Sequence, residues 1–170
     1  SIFDLYPDPY CTSLDGCDGL YRRHVLTRSQ FRELGNLPGF DTEMVKYVLK
    51  NNKKGNHDEE SHERTRRSIA GVNEHGESNR YELLEYWGNI DGHQLKENGF
   101  EFDEGEDLYE DYSVCVWLCG DKILKIMLNP IGGYKVPYMI FPYENSPHSF
   151  WGTGVPKMMR DSQSTMNAAT

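Results

Sequence analysis

The 170-residue sequence lacks any apolar run approaching the roughly 18 residues that a membrane-spanning helix requires. It also opens without a secretory-type leader. Cysteine is scarce: Cys11, Cys17, Cys115 and Cys119 are all there is. Together these absences set the expectation of a reduced protein, intracellular or interior to a virion, in which Cys11 and Cys17, though near enough in sequence to bridge a loop, stay as thiols. Positive charge is in deficit, with 18 Lys and Arg against 27 Asp and Glu and a formal net charge of −9. Proteins that grip nucleic acid through its phosphates are ordinarily basic. The balance gives no support to a DNA-binding domain, and it excludes no surface past which DNA moves without sticking.

What the sequence has is enough apolar and aromatic material, 37% and 12%, to build a core and to argue against wholesale disorder. Eleven tyrosines suit half-buried strands and interfaces. Residues 2–6 read as a strand ended by Pro7-Asp8-Pro9, and residues 20–26 as another. Thr27 or Ser29 can cap a short helix ending at Gly35, and Asp41 can cap one whose Met44, Val45, Val48 and Leu49 share a face. Residues 51–79 are polar and charged, and are expected to form a mobile insertion with a helical turn over 63–69. Strands are then expected over 81–87, near 93–96, over 113–119 and 122–128 about the Gly120-Asp121 turn, and over 137–142. A helix with Pro156 in its first turn closes the pattern. The fold class is therefore α+β: antiparallel sheet and hairpins, peripheral short helices and a C-terminal helix. The apparent strand at one end and the apparent helix at the other read as a piece of a longer polypeptide.

Residue patterns that carry chemistry are weak. Cys115 and Cys119 lie in an expected strand, where four residues span roughly 13 Å, too far for one zinc ion; they read as packing thiols. His57 and His62, beside Asp58, Glu59 and Glu60, read as a solvated charge run. Asp103, Glu104, Glu106, Asp107, Glu110 and Asp111 form the densest acidic run, but the ligand order of a calcium-binding EF-hand loop is missing. Gly152-Thr153-Gly154 lacks the remaining features of a dinucleotide or P-loop turn and reads as a tight strand-to-helix corner. Ser146, His148 and Ser149 are close in sequence, which does not make a triad. Arg64, Arg66 and Arg67 are offset locally by Glu59, Glu60 and Glu63. No catalytic, cofactor-binding or metal-binding residue is assigned, and no cofactor is expected.

The second half carries a longer pattern. Tyr81-Glu82-Leu83-Leu84-Glu85-Tyr86-Trp87-Gly88 opens it. Val116-Trp117-Leu118, Lys122-Ile123-Leu124-Lys125 and Asn129-Pro130 follow, then Pro137-Tyr138-Met139-Ile140-Phe141-Pro142-Tyr143-Glu144 and Phe150-Trp151-Gly152-Thr153-Gly154-Val155-Pro156. Asp161-Ser162-Gln163 and Met166-Asn167 end it. This order resembles the portal proteins of short-tailed, P22-like bacteriophages, and Ile2-Phe3-Asp4-Leu5-Tyr6-Pro7-Asp8-Pro9 is similar to the start of the same region. The resemblance implies a non-enzymatic ring, commonly of twelve subunits, at one capsid vertex of the virion, assembled in the host cytoplasm. Double-stranded DNA would pass through it without sequence-specific binding, and terminase and tail adaptors would dock on the full-length ring. It further implies a wing-like region over residues 1–149 and the start of a stem helix over 150–170. Val155, Met158, Met159, Ser162 and Met166 would then pack between or within subunits. The reading from another class is a metal-dependent hydrolase or nuclease that uses the acidic run near 103–111.

Overall fold

A computed structural model of the chain describes residues 2–58, 60–71, 79–103 and 105–168. Its centre is a five-stranded antiparallel sheet in sequential order: β1 (Leu5–Pro7), β2 (Gly19–Thr27), β3 (Arg80–Asp91), β4 (Asp111–Cys119) and β5 (Lys122–Leu128). The mixed α+β expectation holds. Among the described residues five helices accompany the sheet: α1 (Arg28–Leu34), α2 (Thr42–Asn51), α3 (Ser61–Ile69), α4 (Gly92–Glu97) and α5 (Val155–Ala168). Two short strands, β6 (Glu144–Ser146) and β7 (Ser149–Thr153), form a separate hairpin just before α5. No helix among the described residues is long and apolar enough to cross a membrane.

Local chemistry explains most boundaries. Thr27 caps α1 in a reciprocal box with Gln30, and the Asp41 carboxylate accepts from the Met44 N–H at the start of α2. Gly120 turns the β4–β5 hairpin at φ +61°, a conformation that is unstrained for glycine. Gly19 and Gly88 face each other across β2 and β3, where a Cβ at either would run into the Tyr86 ring.

Helices cover one sheet face well. Phe31 of α1 and Val45, Val48 and Leu49 of α2 close over Tyr81, Leu83, Cys119 and Leu124. Phe31 and Tyr81 stack at 4.7 Å, both with no exposed surface. The Tyr81 hydroxyl is satisfied despite its burial: it donates to the Asn52 carbonyl at 2.6 Å and accepts from Arg28 at 2.8 Å. On the opposite face, Leu95 of α4 packs on Val114 and Val116.

Four expectations are corrected. Only residues 5–7 of the first segment join the sheet, because Ile2–Asp4 forms a 3-10 turn. Residues 93–96 are helical: the Asp91 side chain accepts from the N–H groups of His93 and Gln94 and starts α4 where a strand was expected. Residues 137–142 form no strand. Pro137 and Pro142 lack the donors a ladder needs, and the segment crosses the sheet as a strap with Val136 buried. Finally, Cys11 and Cys17 are disulfide-bonded and buried. Turns from Asp8 to Cys11 and from Leu14 to Cys17 fold the loop back and bring their Cα atoms to 5.2 Å.

Replacing Phe31 by Ala removes a stacked ring from the centre of the helix-covered face. The expected cost is about 3–5 kcal/mol, read as a lower urea midpoint with an unchanged slope.

Candidate functional site

The described side chains place two charged groups inside the protein, one on each sheet face. On the helix-covered face, β3 alternates Tyr81, Leu83, Glu85 and Trp87 inward, and Glu85 is only 7% exposed. Three donors reach its carboxylate. His24 Nε2 lies 2.6 Å from Oε2, the Tyr138 hydroxyl donates to Oε2 at 2.9 Å, and the Trp87 indole donates to Oε1 at 2.7 Å. An ionised carboxylate only accepts, so His24 presents a protonated Nε2. The His24 ring stacks on Trp117 at 4.8 Å. Arg22 donates to the Tyr138 hydroxyl at 3.3 Å and lies over the Tyr138 ring. Burial pushes the Glu85 carboxyl up, but the hydrogen bonds from His24, Trp87 and Tyr138 together outweigh it and hold it below the ordinary 4.5.

On the other face the buried ion is Arg23, whose side chain is 1% exposed. Its guanidinium meets Glu60 at 2.6 Å, Asp4 at 2.9 Å, Glu63 at 3.4 Å and Glu82 at 3.7 Å. One cation thus ties the N-terminal turn, the start of α3 and β3 to β2. His57 lies between Glu82 at 3.0 Å and Glu63 at 3.4 Å, its side chain 5% exposed. His62 stacks on Phe3, and Arg66 lies over the same ring. The histidines expected to stand in solvent are packed, because Arg23 draws the carboxylates around them onto the sheet. Burial, then the hydrogen bond to Glu60, pushes the Tyr6 phenol up to about 12.

The remaining candidates separate. In the acidic run, Asp103, Glu106, Asp107, Glu110 and Asp111 are exposed, and Glu104 lies outside the described residues, as does Glu59 of the earlier cluster. Glu106 and Asp107 accept backbone N–H bonds from Asp103 and Tyr109, which shapes their own loop. Among the described residues, no group of three or more His, Cys, Asp or Glu side chains is disposed to hold a metal ion. Cys115 and Cys119 are free, buried thiols pushed up to about 11, chiefly by burial. Ser146 and Ser149 pair in the β6–β7 hairpin, whose turn carries His148. Gly152 lies in β7 and Gly154 at the corner before α5. Every described residue of α5 is exposed. Val155, Met158, Met159 and Met166 are 38, 48, 56 and 68% exposed on the single chain, and Ala169 and Thr170 lie outside the described residues.

The two buried charges were missed in sequence reasoning, although each leaves a signal. A Glu in phase with Tyr81, Leu83 and Trp87, and an Arg within a short apolar strand, are charges at positions that only a partner makes tolerable.

Arg23→Met leaves four carboxylates without their cation. They are partly hydrated, so the loss is expected at about 2 kcal/mol, below that of a fully buried pair. Amide exchange should accelerate first in α3. The Glu85 carboxyl sits lower in the folded than in the unfolded chain. Its stabilising contribution is therefore complete above about pH 5 and is lost as pH falls below 4.5. Asp4, lowered by Arg23 against its own burial, acts in the same direction. Glu85→Gln should flatten, without abolishing, the fall of unfolding free energy between about pH 5 and 3.

Among the described residues no set of charged side chains converges on a reacting centre: they tie segments to a sheet, and large apolar side chains stand open on the C-terminal helix and at Met139, Phe141 and Tyr143. No curated protein matches the chain. A family model described as Phage SU10 portal protein matches residues 3–168, nearly the whole chain, and on that match the chain belongs to this phage portal family.

Proposed function

We propose that the chain is a structural segment of the ring through which a tailed phage packages and ejects its DNA. Residues 1–149 would be its wing-like part and residues 150–170 the start of the stem. The family match over 3–168 carries the reading. The architecture supports it: a sheet with buried charge on both faces is a stiff body, and stiffness is what an adaptor at the capsid vertex needs.

Identical copies would surround the channel, and terminase and tail adaptors would dock on the full-length ring. Val155, Met158, Met159 and Met166, with the small Ser162 among them, provide the stripe that subunit packing requires. At 100° per residue they fall within about a third of the circumference of α5. A head-to-tail interface between such copies closes into a ring when its rotation divides the circle. The acidic balance disfavours tight phosphate binding and so suits a conduit that reads no sequence.

Purified full-length protein is expected to form rings of one closed symmetry in negative stain. Monomers alone, across salt and protein concentrations, would overturn the reading.

A further inference from the structure

The chain is acidic, but its charge is unevenly placed. Residues 28–54 carry six Lys and Arg against three Asp and Glu, whereas residues 101–111 carry seven Asp and Glu and no Lys or Arg. Four of the cations, Arg28 and Arg32 of α1 and Lys46 and Lys50 of α2, line a cavity of about 480 Å³ between the two helices. Each pair is one helical turn apart, so both members share the face that looks into the cleft. Val45 and Leu49 line it between them, and among the described residues no carboxylate does. Arg28 donates to two neutral acceptors, the Tyr81 hydroxyl and the Leu49 carbonyl. Lys46 pairs with Glu43 at the surface, but among the described residues no carboxylate pairs with Arg28, Arg32 or Lys50. A recess with walls of one sign concentrates the field on whatever enters it, and here it selects an anionic group.

An anionic group of fitting shape projects beside the start of α4, on the opposite face of the sheet. Residues 107–111 form a turn that is held in place from within the chain. The Asp107 carboxylate accepts from the Tyr109 N–H at 2.9 Å, and the Asp107 carbonyl accepts from the Tyr112 hydroxyl at 2.8 Å. The Gly92 N–H donates to the Glu110 carbonyl at 3.0 Å. The Tyr109 ring meets His93 edge-on and is still 83% exposed. Asp107, Glu110 and Asp111 stand exposed around it. The turn offers what the cavity takes: a ring for the apolar lining and carboxylates for the cations. A free phosphate would meet the cations and leave the apolar lining uncovered.

We propose that the cavity between α1 and α2 of one copy receives the acidic turn of a second copy, with Tyr109 over Val45 and Leu49 and the flanking carboxylates against Arg32, Lys46 and Lys50. Cavity and turn lie on opposite sheet faces, so a copy does not close the contact on itself. The two patches differ, so the contact is heterologous and passes from copy to copy around a ring. A turn ordered before it docks loses little freedom on docking. The proposal rests on the ring reading and adds to it which faces meet.

The test exchanges charges in full-length protein. One form carries Arg32→Glu with Lys50→Glu in the cavity, a second carries Glu110→Lys with Asp111→Lys on the turn, and a third carries all four. These side chains are exposed, so the fold is expected to keep its urea midpoint. Assembly is read by sedimentation velocity and negative stain. Each reversal alone is expected to raise the protein concentration at half assembly about tenfold or more, because like charges then meet across the contact. The four-substitution form is expected to recover most of that loss, since its charges are exchanged and not removed. Tyr109→Ser should weaken assembly with every charge in place. Where a reversed form fails to fold, Arg32→Gln with Lys50→Gln and Glu110→Gln with Asp111→Asn take its place, and the two neutralised pairs together should cost less than their separate losses added. Rings at the wild-type concentration from either reversed form, or no recovery and no such coupling when both sides are changed, overturn the contact and leave the ring standing. Protein that stays monomeric in every variant and in the wild type overturns the ring reading and this inference together.

Discussion

The register between β2 and β3 is the constraint on which the rest depends. Arg22 faces Glu85, Arg23 faces Leu84 and His24 faces Leu83. Side chains alternate strictly between faces, so a slip of one residue would exchange them. Arg23 would leave its four carboxylates for the apolar bed under α1 and α2, and Glu85 would lose His24 and Tyr138 together. Each misplacement strands a buried charge, which costs several kcal/mol, far more than the loss of one ladder hydrogen bond. The two ions therefore select one pairing out of several that the apolar residues alone would tolerate. Gly19 opposite Gly88 beneath the Tyr86 ring marks the same register a second time.

The same ions decide what covers the sheet. Arg23 gathers Asp4, Glu60, Glu63 and Glu82, so the N-terminal turn and α3 lie on one face as a consequence of one guanidinium. Glu85 takes the Tyr138 hydroxyl, and with Val136 in the adjoining cluster it holds the 131–138 strap across the other face. The strap has no ladder of its own. Asn129 stands in for one, donating from its side-chain amide to the carbonyls of Tyr134 and Lys135. Side-chain chemistry thus anchors what proline keeps from pairing as a strand.

Elements whose signals are local were legible in the sequence. The β4–β5 hairpin follows from its alternation and Gly120, and the starts of α1 and α2 follow from Thr27 and Asp41 acting within one turn. Residues 93–96 misled because an Asp cap and a polar strand edge look alike until the backbone angle at Asp91 is known. Residues 137–142 misled because an apolar run between two prolines reads as an edge strand, whereas the segment belongs to a strap that packs by Val136 and Tyr138. The ion clusters were illegible because their members stand far apart in sequence: Tyr138 lies 53 residues from Glu85, and Glu63 lies 40 from Arg23. Only the sheet brings them together. The five α5 positions share one face as periodicity implied, whereas no single-chain signal says what covers them.

The division between body and arm follows from these energetics. The body contains its own partners: its large buried side chains sit in three apolar clusters, and its two buried charges are paired inside the chain. The arm does not. A helix of 14 residues is marginal in water even with favourable composition, and α5 begins with a β-branched residue and a proline and spends several positions on Ser, Thr and Asn. Its stability has to come from a surface that its apolar stripe can bury. A surface that buries the stripe would order the helix and fix its direction in one step, and under the ring reading proposed above the order of the arm and the state of assembly would be a single equilibrium.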